Sequence, residues 1–335
     1  MTPEHPFGVY APLGAVTAGG ELAPAHYSAE VSDVAFLTDH ALDVISGWST
    51  TDKRSLLHLN WLRPHPPMTP PAPWHELVAP DAVDLPTRSG SLDDVAATHP
   101  WFNLTLRGRQ MFEYLQRRSR IEDVTELDER RIRAAYYGLV GEVDHHLGRT
   151  LDTLRASGAY DRTLIVVTSD HGEALGDHWM YGRRGPFDGH FRVPCLIRDP
   201  RASADAARGT QVDALTAGVD LLPTICAALG VDTPATAEGA SLEPWLHGTG
   251  PTGWREHVRY DMSWDDHLHT AQRADLLSIP DEHRFSAIRT AEHRVVSFPT
   301  LPPMLFDLAG DPGETTNRAT DPALAAVLSD LTALI

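Results

Sequence analysis

Thr163–Pro194 reads TLIVVTSDHGEALGDHWMYGRRGPFDGHFRVP. An apolar run, Leu164-Ile165-Val166-Val167, opens it and passes straight into Thr168-Ser169-Asp170-His171-Gly172. A short buried run that ends in a carboxylate, an imidazole and a glycine is how a parallel sheet presents ligands at its carboxyl edge. A second strand is expected at Val193–Ile197. Between the two, Gly172, Gly176, Gly182, Gly185 and Gly189 let the loop fold close to a ligand.

Upstream, Leu127–Ser157 is the clearest helix. Ile132, Ala135, Tyr136, Leu139, Val140, Val143, Leu147, Leu151 and Leu154 recur at spacings of three and four, and Gly158 supplies the stop. Asp144, His145 and His146 lie within it. Neighbouring helical residues point about 100° apart, so this trio reads as surface rather than as a metal site. Trp101–Arg120 reads as another helix, and Tyr27–Trp48 as a third with Ser28 as its N-cap. Residues 1–26 show no period and read as irregular. Ser55–Leu62 reads as a buried strand that runs into Arg63-Pro64-His65-Pro66-Pro67. Proline stops a sheet ladder and stiffens the exit. Residues 66–100 are rich in proline and without period, as a lid-like loop or a mobile segment would be.

Downstream, Val219–Leu229 reads as a helix that tolerates Pro223 in its first turn, and residues 231–256 as a connection. Arg284–Phe298 alternates as a hairpin turning at Thr290-Ala291-Glu292, Met304–Leu308 as a strand, and Asp321–Ile335 as a terminal helix. The expected architecture is α/β: a sheet flanked by helices over residues 1–256, and a small carboxyl-terminal α+β subdomain over residues 257–335.

The 335 residues suit one large domain or a large and a small one. A formal charge of -18 argues against nucleic acid or an anionic membrane as partner. An anionic substrate must therefore be drawn in locally, by a metal or by Arg and His. Two cysteines, Cys195 and Cys226, make no disulfide framework and favour a cytoplasmic setting. No run is long enough to span a membrane, and the first residues lack the regions of a signal peptide.

Three places could carry chemistry. Asp170 and His171 could share a divalent cation. The dipeptide alone fits better as a polar strand end with Asp170 capping a turn. His65, held just past a strand end, is either a solvated loop histidine or a proton donor and anion contact at the sheet edge. Arg183, in Gly182-Arg183-Arg184-Gly185, can bind an oxyanion bidentately or be part of a solvated basic turn.

Four separated blocks resemble the sulfatase branch of the alkaline-phosphatase superfamily: RPHPPMTPPAPW (63–74), VVTSDHGEALGDHWMYGRRGPF (166–187), GASLEPWLHG (239–248) and LFDLAGDPGETTN (305–317). The helix HYSAEVSDVAFLTDHALDVI (26–45) adds a fifth. The Asp-His form of the second block is most similar to phosphonate monoester hydrolases and related sulfatases. The resemblance implies an alkaline-phosphatase-like α/β fold and hydrolysis of small anionic esters, sulfate or phosphonate monoesters. It implies Asp170 and His171 as metal ligands, and a divalent ion (Mn, Ca or Mg, with Zn or Fe as alternatives). His65 would contact the transferred group or protonate the leaving oxygen. Arg183 would bind the substrate's anionic oxygens where many relatives place a lysine, a change that keeps charge and alters geometry.

Such enzymes also carry an early strand ending in paired acidic ligands. A Cys-x-Pro-x-Arg or Ser-x-Pro-x-Arg segment follows, whose Cys or Ser becomes a formylglycine nucleophile. Neither feature occurs in this sequence. The expectation is a carboxyl-terminal fragment of a sulfatase-like hydrolase, without full activity alone and able to form a homo-oligomer. The alternatives are a phosphodiesterase or phosphatase of the same superfamily, and a non-catalytic remnant.

Overall fold

The computed structural model describes residues 24–50, 54–263 and 284–335. Residues 1–23, most of the stretch expected to be irregular, lie outside that set.

Helix α1, Asp33–Ser46, begins where Ser32 Oγ accepts the Ala35 N–H at 3.1 Å. Ser32 rather than Ser28 is therefore its cap, and Ala29–Val31 is a single 3-10 turn. The strand expected at Ser55–Leu62 is not formed. The segment has no regular structure, no strand among the described residues pairs with it, and Leu56 is 76% exposed. Residues 66–71 are mostly buried rather than a loose lid. They are tied down by Met68 N–H to Glu113 O at 3.0 Å and Gln116 Nε2 to Met68 O at 2.9 Å. A capping box of Ser91 and Asp94 opens α2, Leu92–Thr98.

The helix expected at Trp101–Arg120 is broken in two. Helix α3, Pro100–Leu106, ends before Gly108, whose φ of 70° turns the chain toward α4, Phe112–Leu115. Helix α5, Glu126–Ala156, matches its expected periodic run. Thr125 and Asp128 cap each other's backbone N–H, Arg117 forks onto Asp128 at 2.8 and 3.0 Å, and Gly158 (φ 69°) stops it.

Strand β1, Ile165–Thr168, is followed by α6, Asp188–Phe191, and β2, Cys195–Arg198. The two strands pair antiparallel, from Ile165 opposite Arg198 to Thr168 opposite Cys195, so the parallel pairing suggested by the apolar run is corrected. Helix α7, Leu221–Leu229, carries Pro223 near its start and ends on Gly230. Helix α8 is Glu243–Leu246. Strands β3 (His257–Ser263), β4 (Arg284–Thr290), β5 (His293–Ser297) and β6 (Met304–Asp307) form an antiparallel sheet in that order. The hairpin and β6 match expectation, and β3 adds an edge strand. Helix α9 is Ala325–Thr332.

The chain divides into two compact units, Met1–Pro86 with Arg107–Thr163, and Thr87–Leu106 with Leu164–Ile335. In the first, α1 packs on α5 and buries Val34, Ala35, Ala41 and Ile45 along with Ile132, Ala135 and Leu139. His146 lies on the buried side of α5, which corrects the surface assignment, while Asp144 and His145 are exposed. Burial, with Arg149 and His145 adding to it, pushes the His146 ring down to about 4. In the second unit the core is aromatic: Trp101, Phe102, Phe187, Phe285, Phe298 and Phe306 meet edge to face, stacked or tilted. No described helix is long and apolar enough to cross a membrane.

Candidate active site

Strand β1 delivers Ser169, Asp170 and His171 at its carboxyl end. Gly172 then donates its N–H to the His190 carbonyl at 2.8 Å, and a Cβ there would stand 2.2 Å from the Gly189 oxygen. Only glycine allows this approach. Ser169 Oγ donates to the His171 carbonyl at 2.8 Å, and the His171 N–H donates to Asp170 Oδ1 at 3.0 Å.

The His171 ring is oriented by its own backbone. Nδ1 donates to the Gly172 carbonyl at 2.8 Å, which leaves the lone pair on Nε2. Nε2 stands 3.7 Å from Asp170 Oδ2 and 3.3 Å from Arg183 Nη1. A histidine whose second nitrogen is fixed on a backbone carbonyl is the usual arrangement of a metal-ligating imidazole. Its Nε2 also faces a cation, the Arg183 guanidinium. Asp170 and His171 thus fit as two donors of a divalent-cation site. The described residues hold no cluster of three or more His, Cys, Asp or Glu side chains that could form a whole shell.

Arg183 is brought to His171 by the loop between β1 and α6. Gly182 donates its N–H to Glu173 Oε1, and Ala174 donates to the Gly182 carbonyl at 3.2 Å. The far side of the loop is anchored on the carboxyl-terminal sheet. Asp188 receives Arg289 at 3.0 and 3.1 Å and also Arg294, while Glu314 accepts the Asp188 N–H at 2.9 Å and Arg294 Nη1 at 2.5 Å. Burial alone would raise Asp188, but the two guanidinium groups hold it below the ordinary carboxylate range. Burial outweighs the nearby arginines at Glu314 and pushes it up to about 7. Phe187 stacks on His178 at 3.9 Å and on Phe102 at 5.9 Å.

The network of Asp188, Arg289, Arg294 and Glu314 was not foreseen from the sequence. Its one signal was Glu314 inside the LFDLAGDPGETTN block. Asp170, His171 and Arg183 come together in the second unit. His65 belongs to the first, where its Nδ1 donates to the Pro66 carbonyl at 2.6 Å and its backbone carbonyl accepts Arg63.

The comparisons with known proteins agree on one family. The sulfatase family model matches residues 10–231, and a model described as the carboxyl-terminal part of N-sulphoglucosamine sulphohydrolase matches residues 176–335. The crystal structure of a phosphonate monoester hydrolase from Agrobacterium radiobacter is 34% identical, superposes with a TM-score of 0.86, and covers 99% of this chain and 66% of its own. A multifunctional alkaline phosphatase superfamily protein of Trinickia caryophylli, PehA, is 34% identical over 98% of this chain and 63% of its own length. Arylsulfatase K of Xenopus laevis is 31% identical over 58% of this chain and 35% of its own. The chain thus spans less than two thirds of the length of these relatives. A family model matched over most of the chain, and the same α/β fold in a solved relative, place this protein in the sulfatase family of the alkaline-phosphatase superfamily.

Proposed function

We propose that these residues bind and activate a small anionic ester, a sulfate or phosphonate monoester, for metal-dependent hydrolysis. The observation that carries this is the fixed His171 ring, with Nε2 facing both the Asp170 carboxylate and the Arg183 guanidinium at one strand end. Asp170 and His171 would hold the divalent ion, Mn, Ca or Mg by preference. When bound, that ion supplies Lewis acidity toward a non-bridging oxygen of the ester. Arg183 places a permanent positive charge beside it and can take two oxyanion atoms with its planar fork. To His65 we assign, from the family resemblance, contact with the transferred group or protonation of the leaving oxygen. We assign this chemistry to residues 1–256, with residues 257–335 bracing the Arg183 loop, in a cytoplasmic setting that suits two free thiols.

The test is a panel of nitrophenyl sulfate, phosphate and phenylphosphonate esters with Mn²⁺, on the wild type and on His65→Ala and Arg183→Ala. The turnover these residues support, short of full activity, should favour sulfate and phosphonate monoesters, and each substitution should lower it by about 10²-fold or more. Turnover indifferent to both residues would overturn the assignment. A second reading, a non-catalytic member of the family, is favoured by the lack of a Cys-x-Pro-x-Arg or Ser-x-Pro-x-Arg segment among the 335 residues. It expects no turnover with any ester.

A further inference from the structure

Arg63 is 3% exposed, a rare place for a guanidinium. Its donors point at the segment that carries His65. Nη1 donates to the His65 carbonyl at 3.2 Å and to the Pro67 carbonyl at 2.7 Å. Nη2 donates to the Tyr27 hydroxyl at 3.2 Å, and Nε faces Asp33 Oδ1 at 3.6 Å. Glu142 of α5, 1% exposed, feels the charges of both Asp33 and Arg63.

The local sequence explains why an arginine is needed. Pro64, Pro66 and Pro67 have no N–H, so this segment offers carbonyls and few donors. Those carbonyls need donors other than the proline nitrogens. Arg63 donates to those on residues 65 and 67, the second shared with the Thr69 N–H at 2.8 Å, and the His65 ring takes the one on Pro66 at 2.6 Å. Three consecutive carbonyls are thereby fixed, and with them the ring. A buried charge cluster of this kind is no better for stability than apolar packing of the same volume. What it adds is geometry at His65.

We propose that Arg63 is the positioning residue of His65: its buried guanidinium, held by Tyr27 and Asp33, clamps the carbonyls on either side of Pro66 and so holds the His65 ring with its proton on Nδ1. Proton exchange with a leaving group is then left to Nε2. This deepens the role proposed above for His65 and rests on it.

The test is nitrogen-15 NMR of the histidine rings in the full chain, with the His65 signals assigned by their loss in His65→Gln. At pH 8 the wild type should show His65 with a protonated Nδ1 and an unprotonated Nε2. In Arg63→Lys the single nitrogen that reaches both carbonyls loses the Nη2 and Nε contacts to Tyr27 and Asp33 that hold it in place. The two His65 nitrogen shifts should then move toward each other, while the signals of His146, buried in the same unit, stay in place. Unchanged His65 shifts in Arg63→Lys would overturn the clamp.

A second measurement needs no variant. The Arg63 guanidinium protons of the wild type should exchange slowly with solvent, and fast exchange, or a proton on Nε2 of His65, would equally refute the clamp. Failure of the functional reading looks different. His65→Ala would then keep ester turnover, whatever the ring tautomer of the wild type.

Discussion

A Cβ on residue 172 would stand 2.2 Å from the Gly189 carbonyl oxygen. Gly172→Ala should therefore push apart the two segments that orient His171. It should cost on the order of 2 kcal/mol in urea denaturation and weaken Mn²⁺ binding along with stability. Glu142 gives a second prediction, in pH. Burial first, and the neighbouring Asp33 carboxylate, raise its carboxyl from 4.5 to about 7 against the pull of Ser32 and Arg63. The favourable contribution is complete below about pH 4.5, where folded and unfolded chains both hold the proton. It is lost as pH rises through 7, by roughly 3 kcal/mol. Denaturation of Glu142→Gln at pH 5.5 and pH 8 should show a smaller fall than the wild type. His146 works in the opposite direction. Its ring is depressed to about 4, so its contribution is present above about pH 6.5 and lost as pH falls through 4. Asp170, His171 and Arg183 were legible because a strand end, a glycine loop and charged residues stand close in sequence. The burial of Glu142, Arg63 and His146 was not. A charged residue on an amphipathic helix, or in a turn as Arg63 is, reads as solvent-facing until its tertiary partner is known.

Helix α5 is the best-specified element, and its start can be tested alone. Thr125 Oγ accepts the Asp128 N–H at 3.2 Å, and Asp128 Oδ2 accepts the Thr125 N–H at 3.0 Å. Thr125→Ala should cost about 1 kcal/mol in chemical denaturation. Loss of the wild-type Asp128–Arg117 fork from such a variant would enlarge that figure. The helix was visible in sequence because its apolar stripe, cap and glycine stop are all local signals. The same holds for the β4–β5 hairpin, whose alternation and turn adjoin each other. Ser55–Leu62 was misread because a strand exists only through a neighbour, and pairing is not written in the segment itself. Residues 101–120 were misread because one positive-φ glycine, Gly108, outweighs the propensity on both sides.

At the scale of the molecule, the second unit joins the Arg183 loop to the carboxyl-terminal sheet through Arg294. That side chain is fully buried and bonded to both Asp188 and Glu314. Arg294→Met removes one partner of a buried charge network and should cost about 3–5 kcal/mol in denaturant unfolding. The link was invisible in sequence, because Asp188 and Arg294 are far apart along the chain and only the fold makes them neighbours. On the proposed reading, the net charge of -18 repels an anionic ester in general, and Arg183 with a bound cation would reverse that field locally. The most direct test is therefore a Mn²⁺ titration followed by electron paramagnetic resonance, on the wild type, Asp170→Asn and His171→Gln. The wild type should bind Mn²⁺, and each variant should lose at least about tenfold in affinity. Equal Mn²⁺ binding by all three proteins would contradict the assignment of Asp170 and His171 as the metal ligands.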